Sequence, residues 1–525
     1  MPSFDLATQP WIPVRYTQGA NGPAEIGLAE LFTRAHQIAD IALPVPPAAS
    51  GLWRVLYLIA ARVTRLDIAD DWKTWKRRRR ETLETGRFEQ SAIDQYFAAH
   101  PGRFDLFHPE TPWLQDPRLA VDCPKSTGIN KLVMGRATGN NLVWLSHHTD
   151  LAPQPVNAAE AAWHLLAWLY YGPSGKITAR TVDTRTESNM TAGPLRSRIS
   201  FHPLGKNLFH SLVVGIPYPD PFTGPRDPDL APWEDDNLPD PLSSPPARKG
   251  VSGLLTGQFR HAVLLVPSPG GSQVIDARIT WAWRMPTPEI LDPYLIYDRS
   301  KKDGTPYARY ARADRAIWRD LDALLRQETE SGRTKRPEVF SRLPDESFTG
   351  PIRVRAYGFD QEGQAADRQW FTASTPKILV AHETDEGDEP VYEDSNEIGT
   401  ARESAERVGD DLRTALRRAW AALGDPDGKG KIRSGEPDPP WLAQALGRYW
   451  RDAESTFWQM VEHKRPFDYP ANTFIRIGIA AYDQVTDTYA VRRTGEVVRA
   501  LERARGGIFA TWSPVQSTPP EARDA

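Results

Sequence analysis

Cysteine is nearly absent from this sequence, since Cys123 is the only one among 525 residues. A single thiol cannot form a disulfide within the chain or build a cysteine-based zinc site, which fits a reducing compartment. No apolar run reaches the length of a membrane span, and we find no signal peptide at the start. We therefore expect a cytoplasmic protein with no membrane partner.

Familiar catalytic motifs are missing as well. The sequence holds no G-x-S-x-G nucleophile turn, no GxxxxGK[ST] phosphate loop and no HExxH metal site. His147, His148 and Asp150 offer metal-ligand chemistry, but adjacent histidines cannot easily share one face of an element. We expect no enzyme activity and no cofactor, and keep a metal-dependent nuclease or hydrolase as an alternative.

A large excess of positive charge is also lacking. Lysine and arginine total 64, aspartate and glutamate total 68, and the net charge is −4. Any contact with nucleic acid must therefore come from local basic patches. The strongest basic run is KRRRR at residues 76–80, which is either a solvated helix face or a phosphate-binding surface.

Hydrophobic periodicity predicts a mixed N-terminal region and a helical C-terminal region. The predicted strands are residues 3–15, 210–214, 260–267, 274–283 and 352–359. The predicted helices of the N-terminal region are residues 26–39, 50–66, 157–171 and 314–327. Residues 177–207 are polar and basic and are expected to be an irregular loop, and residues 218–250, rich in proline and acidic residues, are expected to be a poorly ordered excursion.

An acidic stretch at residues 383–396 has no apolar period and indicates a domain boundary. Beyond it, apolar stripes predict helices at residues 398–423, 440–461, 472–487 and 490–509. Their short and medium connections favour an antiparallel bundle. We predict an α+β fold with a mixed α/β domain at residues 1–384, a four-helix bundle at 385–512 and a disordered tail at 513–525.

Residues 125–145 form a predicted loop with three glycines, three asparagines, three basic residues and no carboxylate. Glycine and asparagine allow backbone amides to face an anion. The segment is therefore either a phosphate-contacting loop or a mobile surface loop. Its candidate contact residues are Lys125, Asn130, Lys131, Arg136, Asn140 and Asn141.

Two other basic segments leave similar alternatives. Residues 295–310 alternate cations with tyrosines and carry Lys301 and Lys302 at the tip, which suits either nucleic acid or an exposed turn. A second group lies near the first helix of the predicted bundle and in the loop that follows it. It is either a solvated face or a DNA-facing wall, and it comprises Arg413, Arg417, Arg418, Lys429, Lys431 and Arg433.

Several of these segments, in this order, resemble the large subunit of the type I-E CRISPR surveillance complex Cascade, the CasA family. The resemblance extends over most of the chain, including the helix at residues 27–39, the loop up to residues 141–144 and the helical C-terminus. The most specific matches are FDLATQPWIPV (4–14), FDLFHPETPWLQ (104–115), YGPSGK (171–176), LLTGQFRHAVLL (254–265) and YGFDQ (357–361).

The resemblance implies a non-catalytic subunit of an RNA-guided antiviral complex. Such a subunit recognises the protospacer-adjacent motif (PAM) in double-stranded target DNA and starts the duplex opening that leads to an R-loop. The implied partners are the target DNA, the guide-RNA complex with the other Cascade subunits, and a helicase–nuclease effector. A purely protein-binding scaffold is the remaining alternative.

Carried over residue by residue, the resemblance implies three DNA-contacting elements. Gln361 matches a wedge that splits base pairs, and Lys301 or Lys302 matches a lysine finger. Residues 172–175 match a glycine loop, with residues 188–193 as a second placement, and residues 125–144 match a loop that reaches neighbouring subunits. Asp360 stands where the family can place asparagine, and a carboxylate cannot donate a hydrogen bond. The implied DNA-binding residues are Gly172, Ser174, Gly175, Lys176, Lys301, Lys302, Asp360 and Gln361.

Overall fold

The computed structural model divides into two compact units. One comprises Met1–Ile317 and Ala323–Glu393, and the other comprises Trp318–Asp322 and Asp394–Ala525. The predicted domain limits at 384/385 and 512/513 stay predictions, and the predicted tail lies outside the described residues. The structure describes residues 2–68, 71–138, 147–219, 229–245, 250–286, 291–325, 334–344, 350–361, 367–377, 380–384, 387–424, 437–490 and 494–509.

Helices and small antiparallel sheets alternate before residue 394, which confirms the predicted α+β class. The described helices are α1 (Leu28–Arg34), α2 (Pro46–Thr64), α3 (Trp72–Thr85), α4 (Gln90–Ala98), α5 (Leu119–Asp122), α6 (Ile129–Leu132), α7 (Ala158–Tyr171), α8 (Leu208–Val214), α9 (Val251–Thr256) and α10 (Asp322–Leu325). Two 3₁₀ turns cover Ile317–Asp320 and Glu338–Arg342.

The strands among the described residues form six small sheets with the orders β2-β1-β3, β4-β9-β8, β5-β6, β14-β13-β7, β11-β10-β12 and β15-β16. Their bounds are β1 (Ile12–Tyr16), β2 (Glu25–Ile26), β3 (Ile38–Ile41), β4 (Val156–Asn157), β5 (Gly175–Val182), β6 (Arg185–Met190), β7 (Ile199–Leu204), β8 (His261–Pro267), β9 (Gln273–Trp281), β10 (Tyr297–Arg299), β11 (Pro306–Ala308), β12 (Thr334–Lys335), β13 (Arg353–Gln361), β14 (Asp367–Ser374), β15 (Ala381–Thr384) and β16 (Gly387–Tyr392).

Helices α2 and α7 form the centre of the first unit. Both are apolar on nearly every side, so they are buried rather than lying on the surface. Gly51 lets them approach closely, because a Cβ there would lie 2.8 Å from Cδ2 of Tyr170. Strand β13 lies between β7 and β14 in its sheet, and it also packs on α2. Gly172 directly follows the end of α7, and Gln361 is the last residue of β13.

Several predicted elements differ from the observed ones. The predicted strand 210–214 is helix α8, whose first turn is capped because the Asn207 side chain accepts from the His210 backbone N–H at 2.9 Å. The segment predicted as irregular, 177–207, contains β5, β6 and β7. The first two of these strands are polar on both faces, so no apolar alternation marks them.

Three other predictions also need correction. The predicted helix 26–39 is β2, α1 and part of β3, and the predicted helix 314–327 is a 3₁₀ turn followed by the single turn α10. The excursion 218–250 is held in place over residues 229–245. There, Trp233 is buried and Glu234 accepts from Nη2 of Arg62 at 2.9 Å. A buried aromatic and an ion pair fix this proline-rich segment, which lacks periodic structure of its own.

The second unit holds four helices in its described part, as predicted, with shifted ends. They are α11 (Ser395–Gly424), α12 (Leu442–Val461), α13 (Pro470–Ala490) and α14 (Gly495–Gly506). Helix α11 packs against the other three, and α13 packs against α12 and α14. The Tyr449 hydroxyl crosses this core and donates to the Ala405 carbonyl at 2.6 Å. Apolar stripes at helical spacing produce this bundle.

Candidate functional site

The two placements of the glycine loop lie in one β-hairpin. Strand β5 pairs with β6 so that Gly175 is opposite Met190 and Lys176 is opposite Asn189. The Gly193 backbone N–H then donates to the Gly172 carbonyl at 2.9 Å. Residues 172–175 and 188–193 are therefore the start and the end of the same hairpin.

Glycine is required at two positions of this hairpin. Gly175 has a φ of +127°, a backbone angle that residues other than glycine rarely adopt. At Gly193, a Cβ would lie 2.6 Å from the Tyr170 carbonyl oxygen and 3.1 Å from the Gly172 nitrogen. The hairpin thus begins with an open, left-handed glycine and closes on a tight contact between backbones.

Part of the loop at residues 125–145 lines a cavity together with this hairpin. The cavity of about 250 Å³ is bordered by Asn130, Lys131, Arg136, Ser174, Gly175 and Lys176. A hydroxyl–hydroxyl hydrogen bond of 2.8 Å between Thr127 and Thr178 ties the loop to β5. Two groups of candidate residues chosen from distant parts of the sequence therefore share one concave surface.

Asn130 has an internal role in this loop. Its side chain is only 1 % exposed, and its Nδ2 donates to the Thr149 carbonyl at 3.0 Å and to Oδ1 of Asp150 at 3.1 Å. Nη1 of Arg136 donates to the Gln154 carbonyl at 2.6 Å. These bonds fix the conformation of the loop. Lys125, the first residue of the loop, is exposed. Asn140 and Asn141 lie outside the described residues.

Lys301 and Lys302 are both exposed at the tip of the β10–β11 hairpin. The tip is fixed by the Ser300 N–H, which donates to the Thr305 carbonyl, and by the Gly304 N–H, which donates to the Ser300 carbonyl, each at 2.9 Å. Gly304 has a φ of +71° that allows this turn. The hairpin therefore presents two ammonium groups on an ordered turn.

Residues 193–198, here called the junction segment, connect all three elements implied by the resemblance. Gly193 bonds to Gly172 in residues 172–175, here called the glycine turn, and the Leu195 N–H donates to the Tyr170 carbonyl at 2.9 Å. Arg198 donates from Nη1 to the Ala308 carbonyl, at the base of the β10–β11 hairpin, here called the lysine hairpin. The Ser197 hydroxyl donates to the Gln361 carbonyl at 2.7 Å. One six-residue segment thus fixes the relative positions of the glycine turn, the lysine hairpin and the end of β13.

The Gln361 side chain is buried in this structure, with 6 % exposure. Its Oε1 accepts from the Ser197 backbone N–H at 3.3 Å. The neighbouring Asp360 is half-buried, and its Oδ2 accepts from the Ala313 N–H at 3.1 Å. Both side chains at the predicted wedge thus bond to the protein itself, and the wedge assignment stays a prediction.

His261 supports the glycine turn through a hydrogen bond, and no local sequence pattern pointed to this role. Its Nε2–H donates to the Pro173 carbonyl at 3.1 Å, and a Cβ on Gly172 would meet its Cε1 at 2.7 Å. Burial lowers the pKa of His261 to about 4, so the ring is neutral near pH 7. The contact joins residues 88 positions apart, which explains why no local pattern revealed it.

The basic residues of the predicted bundle wall belong to the second compact unit. Arg413 and Arg417 are half-buried on α11, and Arg418 is exposed. Nε of Arg417 donates to Oδ1 of Asp438 at 2.9 Å, which partly neutralises its charge. Lys429, Lys431 and Arg433 lie outside the described residues.

The described ranges contain no group of three or more His, Cys, Asp or Glu residues that could hold a metal ion. Asp150, which was considered as a ligand, accepts the Asn130 bond described above. Among the described helices, none is long and apolar enough to cross a membrane.

Comparisons with known proteins agree with the resemblance. A relative from Thermus thermophilus, CRISPR-associated protein CasA/Cse1, is 27 % identical over 419 residues, covering 75 % of this chain and 76 % of the relative. A solved chain described as a CRISPR RNA-guided surveillance complex is 44 % identical with a TM-score of 0.85, covering 97 % of this chain and 100 % of that chain. The crystal structure of Thermobifida fusca Cse1 shares the fold, with a TM-score of 0.73 at 19 % identity, covering 97 % of this chain and 98 % of that chain.

The family model for CRISPR-associated protein Cse1 matches residues 5–473, which is most of the sequence and includes the glycine turn, the lysine hairpin and the end of β13. The chain therefore belongs to the Cse1 family of CRISPR-associated proteins.

Proposed function

We propose that this chain is the non-catalytic subunit of an RNA-guided surveillance complex that recognises the PAM in double-stranded DNA and starts duplex opening. Its partners would be the target duplex, the guide-RNA complex of the other subunits, and a helicase–nuclease that it helps to recruit. The observation that carries the proposal is the junction segment, which ties the glycine turn, the lysine hairpin and Gln361 together.

The chemistry of these elements suits loose recognition of a short DNA signal. The minor groove presents a degenerate hydrogen-bonding pattern, so a few backbone amides and one cation suffice to read it. Opening one base-pair step costs roughly 1–2 kcal/mol, which an inserted side chain and nearby cations can offset. Sequence reading beyond the PAM is left to the guide RNA, so the protein needs few contacts to base edges.

The lysine hairpin provides the first test. We expect the double substitution Lys301→Ala and Lys302→Ala to weaken binding of a PAM-containing duplex by roughly tenfold, because two exposed cations are removed from one turn. Binding is measured with the complete guide-RNA complex on duplexes that differ only at the PAM. The exposed lysines Lys206 and Lys377, which lie outside the candidate elements, give a charge-matched control as the double variant Lys206→Ala and Lys377→Ala. Equal loss in both double variants would contradict a dedicated finger.

Gln361 provides the second test. If it is the wedge, Gln361→Ala should slow duplex opening while leaving PAM binding nearly unchanged. Because its side chain accepts from Ser197 in this structure, opening requires that bond to break first. Stopped-flow fluorescence of 2-aminopurine next to the PAM measures the rate. An unchanged opening rate in a folded Gln361→Ala variant would remove the wedge from the proposal.

A further inference from the structure

A second cavity, of about 210 Å³, lies at the base of the lysine hairpin. Its walls come from the junction segment, from residues 254–260 and from the hairpin strands, and they include Arg198, Arg260, Asp292, Tyr297 and Ala308. Nothing in the comparisons or in the family resemblance gives this cavity a role. It brings together two guanidinium groups that are 62 positions apart in the sequence.

Neither Arg198 nor Arg260 forms an ion pair with a carboxylate in the part of the chain that the structure describes. Nη1 of Arg198 donates to the Ala308 carbonyl, and its guanidinium lies 4.2 Å from the centroid of the Tyr310 ring. Nη1 of Arg260 donates to the Ala192 carbonyl at 3.3 Å, while its buried Nε has no hydrogen-bond partner among the described residues. Each guanidinium carries five N–H donors, so both retain unused donor capacity.

The nearby carboxylate is already committed elsewhere. Asp292 lines the same cavity, but its Oδ2 lies 3.0 Å from Nη2 of Arg54, and Arg54 is completely buried. Burial lowers the pKa of Arg54, but Asp292, Tyr171 and Tyr170 together raise it above its usual value. For Arg260, burial lowers the pKa and no carboxylate compensates. Two cations and one neutralised carboxylate leave the cavity with uncompensated positive charge.

We propose that Arg198 and Arg260 form an anion site that takes a backbone phosphate of the bound DNA, next to the position reached by the lysine hairpin. The planar guanidinium matches the geometry of phosphate oxygens and donates two parallel hydrogen bonds to them. Pro306 and Ala308 line the cavity from β11, and the lysines lie at the tip of the same hairpin. A strand whose bases meet the tip therefore carries its phosphates towards the cavity.

This inference rests on the proposed function, because it takes DNA as the ligand. Its signature nevertheless differs from that of PAM reading. A phosphate contact is independent of sequence, so its loss weakens duplexes with and without the PAM equally. It also contributes about 0.9 to the slope of log affinity against log salt concentration.

The test uses the complete guide-RNA complex and the variants Arg260→Gln and Arg198→Gln. Affinities for PAM and PAM-less duplexes are measured at four salt concentrations. We expect each variant to bind roughly tenfold more weakly, to lose about 0.9 of the salt slope, and to keep the wild-type ratio between the two duplexes. Arg15→Gln removes an equally charged but largely exposed arginine from β1 and should change none of these quantities.

Methylphosphonate substitution identifies the phosphate itself. Single phosphates near the PAM are replaced one at a time by neutral methylphosphonates. One position should weaken binding of the wild type and have no further effect in Arg260→Gln. If Arg260→Gln unfolds, Arg260→Lys takes its place, since it retains the charge and loses the two parallel hydrogen bonds of the guanidinium. In Arg260→Lys, the same methylphosphonate position should weaken binding by a smaller factor.

Two results would overturn the inference. One is a folded Arg260→Gln variant with wild-type affinity and salt slope. The other is normal DNA binding with lost assembly of the complex, which would assign the cavity to an acidic protein partner. A wild-type complex that binds duplexes without PAM preference would instead contradict the proposed function. The difference in salt slope between the wild type and the arginine variants would still test the phosphate site.

Discussion

Buried polar side chains decide the shape of the candidate site at the scale of single residues. Asn130, Ser197 and His261 are buried, and each uses its hydrogen bonds to hold a neighbouring backbone. An unmade bond of this kind costs more than a made one contributes, so such residues fix one conformation. Among the residues expected to touch DNA, Lys176, Lys301 and Lys302 are exposed, whereas Gln361 is buried against the junction segment.

Neutral His261 makes stability depend on pH. Its folded pKa of about 4 lies below the unfolded value of 6.5, so between these values the unfolded chain binds more protons. Stability should therefore fall as pH decreases from 6.5 towards 4, and His261 should add no pH dependence above pH 7. From pH 6.5 to 5 the loss is on the order of 2 kcal/mol.

Urea unfolding at pH 7 and pH 5 measures this effect. We expect His261→Gln to lose less stability than the wild type between the two values, although it is less stable at pH 7. His147→Gln, at an exposed position, should keep the wild-type response. An identical pH response in His261→Gln and the wild type would show that this ring does not stay neutral in the fold.

At the scale of elements, the junction segment matters more than any one strand. Its six residues form no regular element, yet they contact the glycine turn, the lysine hairpin and the end of β13. A short irregular segment can form hydrogen bonds with three other elements only if its backbone lies close to each of them. Gly193 permits such an approach to the Tyr170 carbonyl, because a Cβ there would lie 2.6 Å from the carbonyl oxygen.

Gly193→Ala should therefore disrupt the site by displacing the backbone around the glycine turn. The added Cβ would lie 2.6 Å from the Tyr170 carbonyl oxygen, so backbone must move, at a cost of roughly 1–3 kcal/mol. We expect lower stability and weaker binding of PAM duplexes, measured by urea unfolding and by titration. Gly270→Ala, where a Cβ meets nothing within 4 Å, is the control. Unchanged binding in a folded Gly193→Ala variant would separate the junction from DNA recognition.

At the scale of the whole molecule, the order of the chain and the compact units do not coincide. Residues 318–322 belong to the unit that otherwise begins at Asp394. Trp318 is buried there, with its ring centroid 4.8 Å from that of Phe457. Arg319 forms two hydrogen bonds of 2.8 and 2.7 Å with Glu406 and lies 3.6 Å from the Trp450 ring. The four-helix unit is therefore completed by a segment from earlier in the sequence.

Trp318→Ala should destabilise the four-helix unit by roughly 3–5 kcal/mol, because it removes a buried aromatic side chain. Thermal unfolding of the full chain, followed by tryptophan fluorescence and circular dichroism, measures the loss. Trp420→Ala removes a tryptophan that is 38 % exposed, and it should cost much less. Equal losses for the two variants would argue that Trp318 adds little to this core.

The sequence by itself determined the elements with a regular apolar period. Helices α2 and α7, the β8–β9 pair, strand β13 and the four C-terminal helices follow from local spacing, because burial of one face requires that spacing. The residues around Lys301 and Lys302 also predicted a loop with both lysines at its tip.

Only the tertiary structure decided how the site is put together. The polar β5–β6 hairpin carries no apolar period, and the bond from Ser197 to Gln361 joins residues 164 positions apart. Chain folding likewise brings Arg198 and Arg260 to the lining of one cavity. It also places Trp318 in the four-helix unit. Local periodicity reports which face of a segment is buried, whereas these contacts depend on which distant segment covers it.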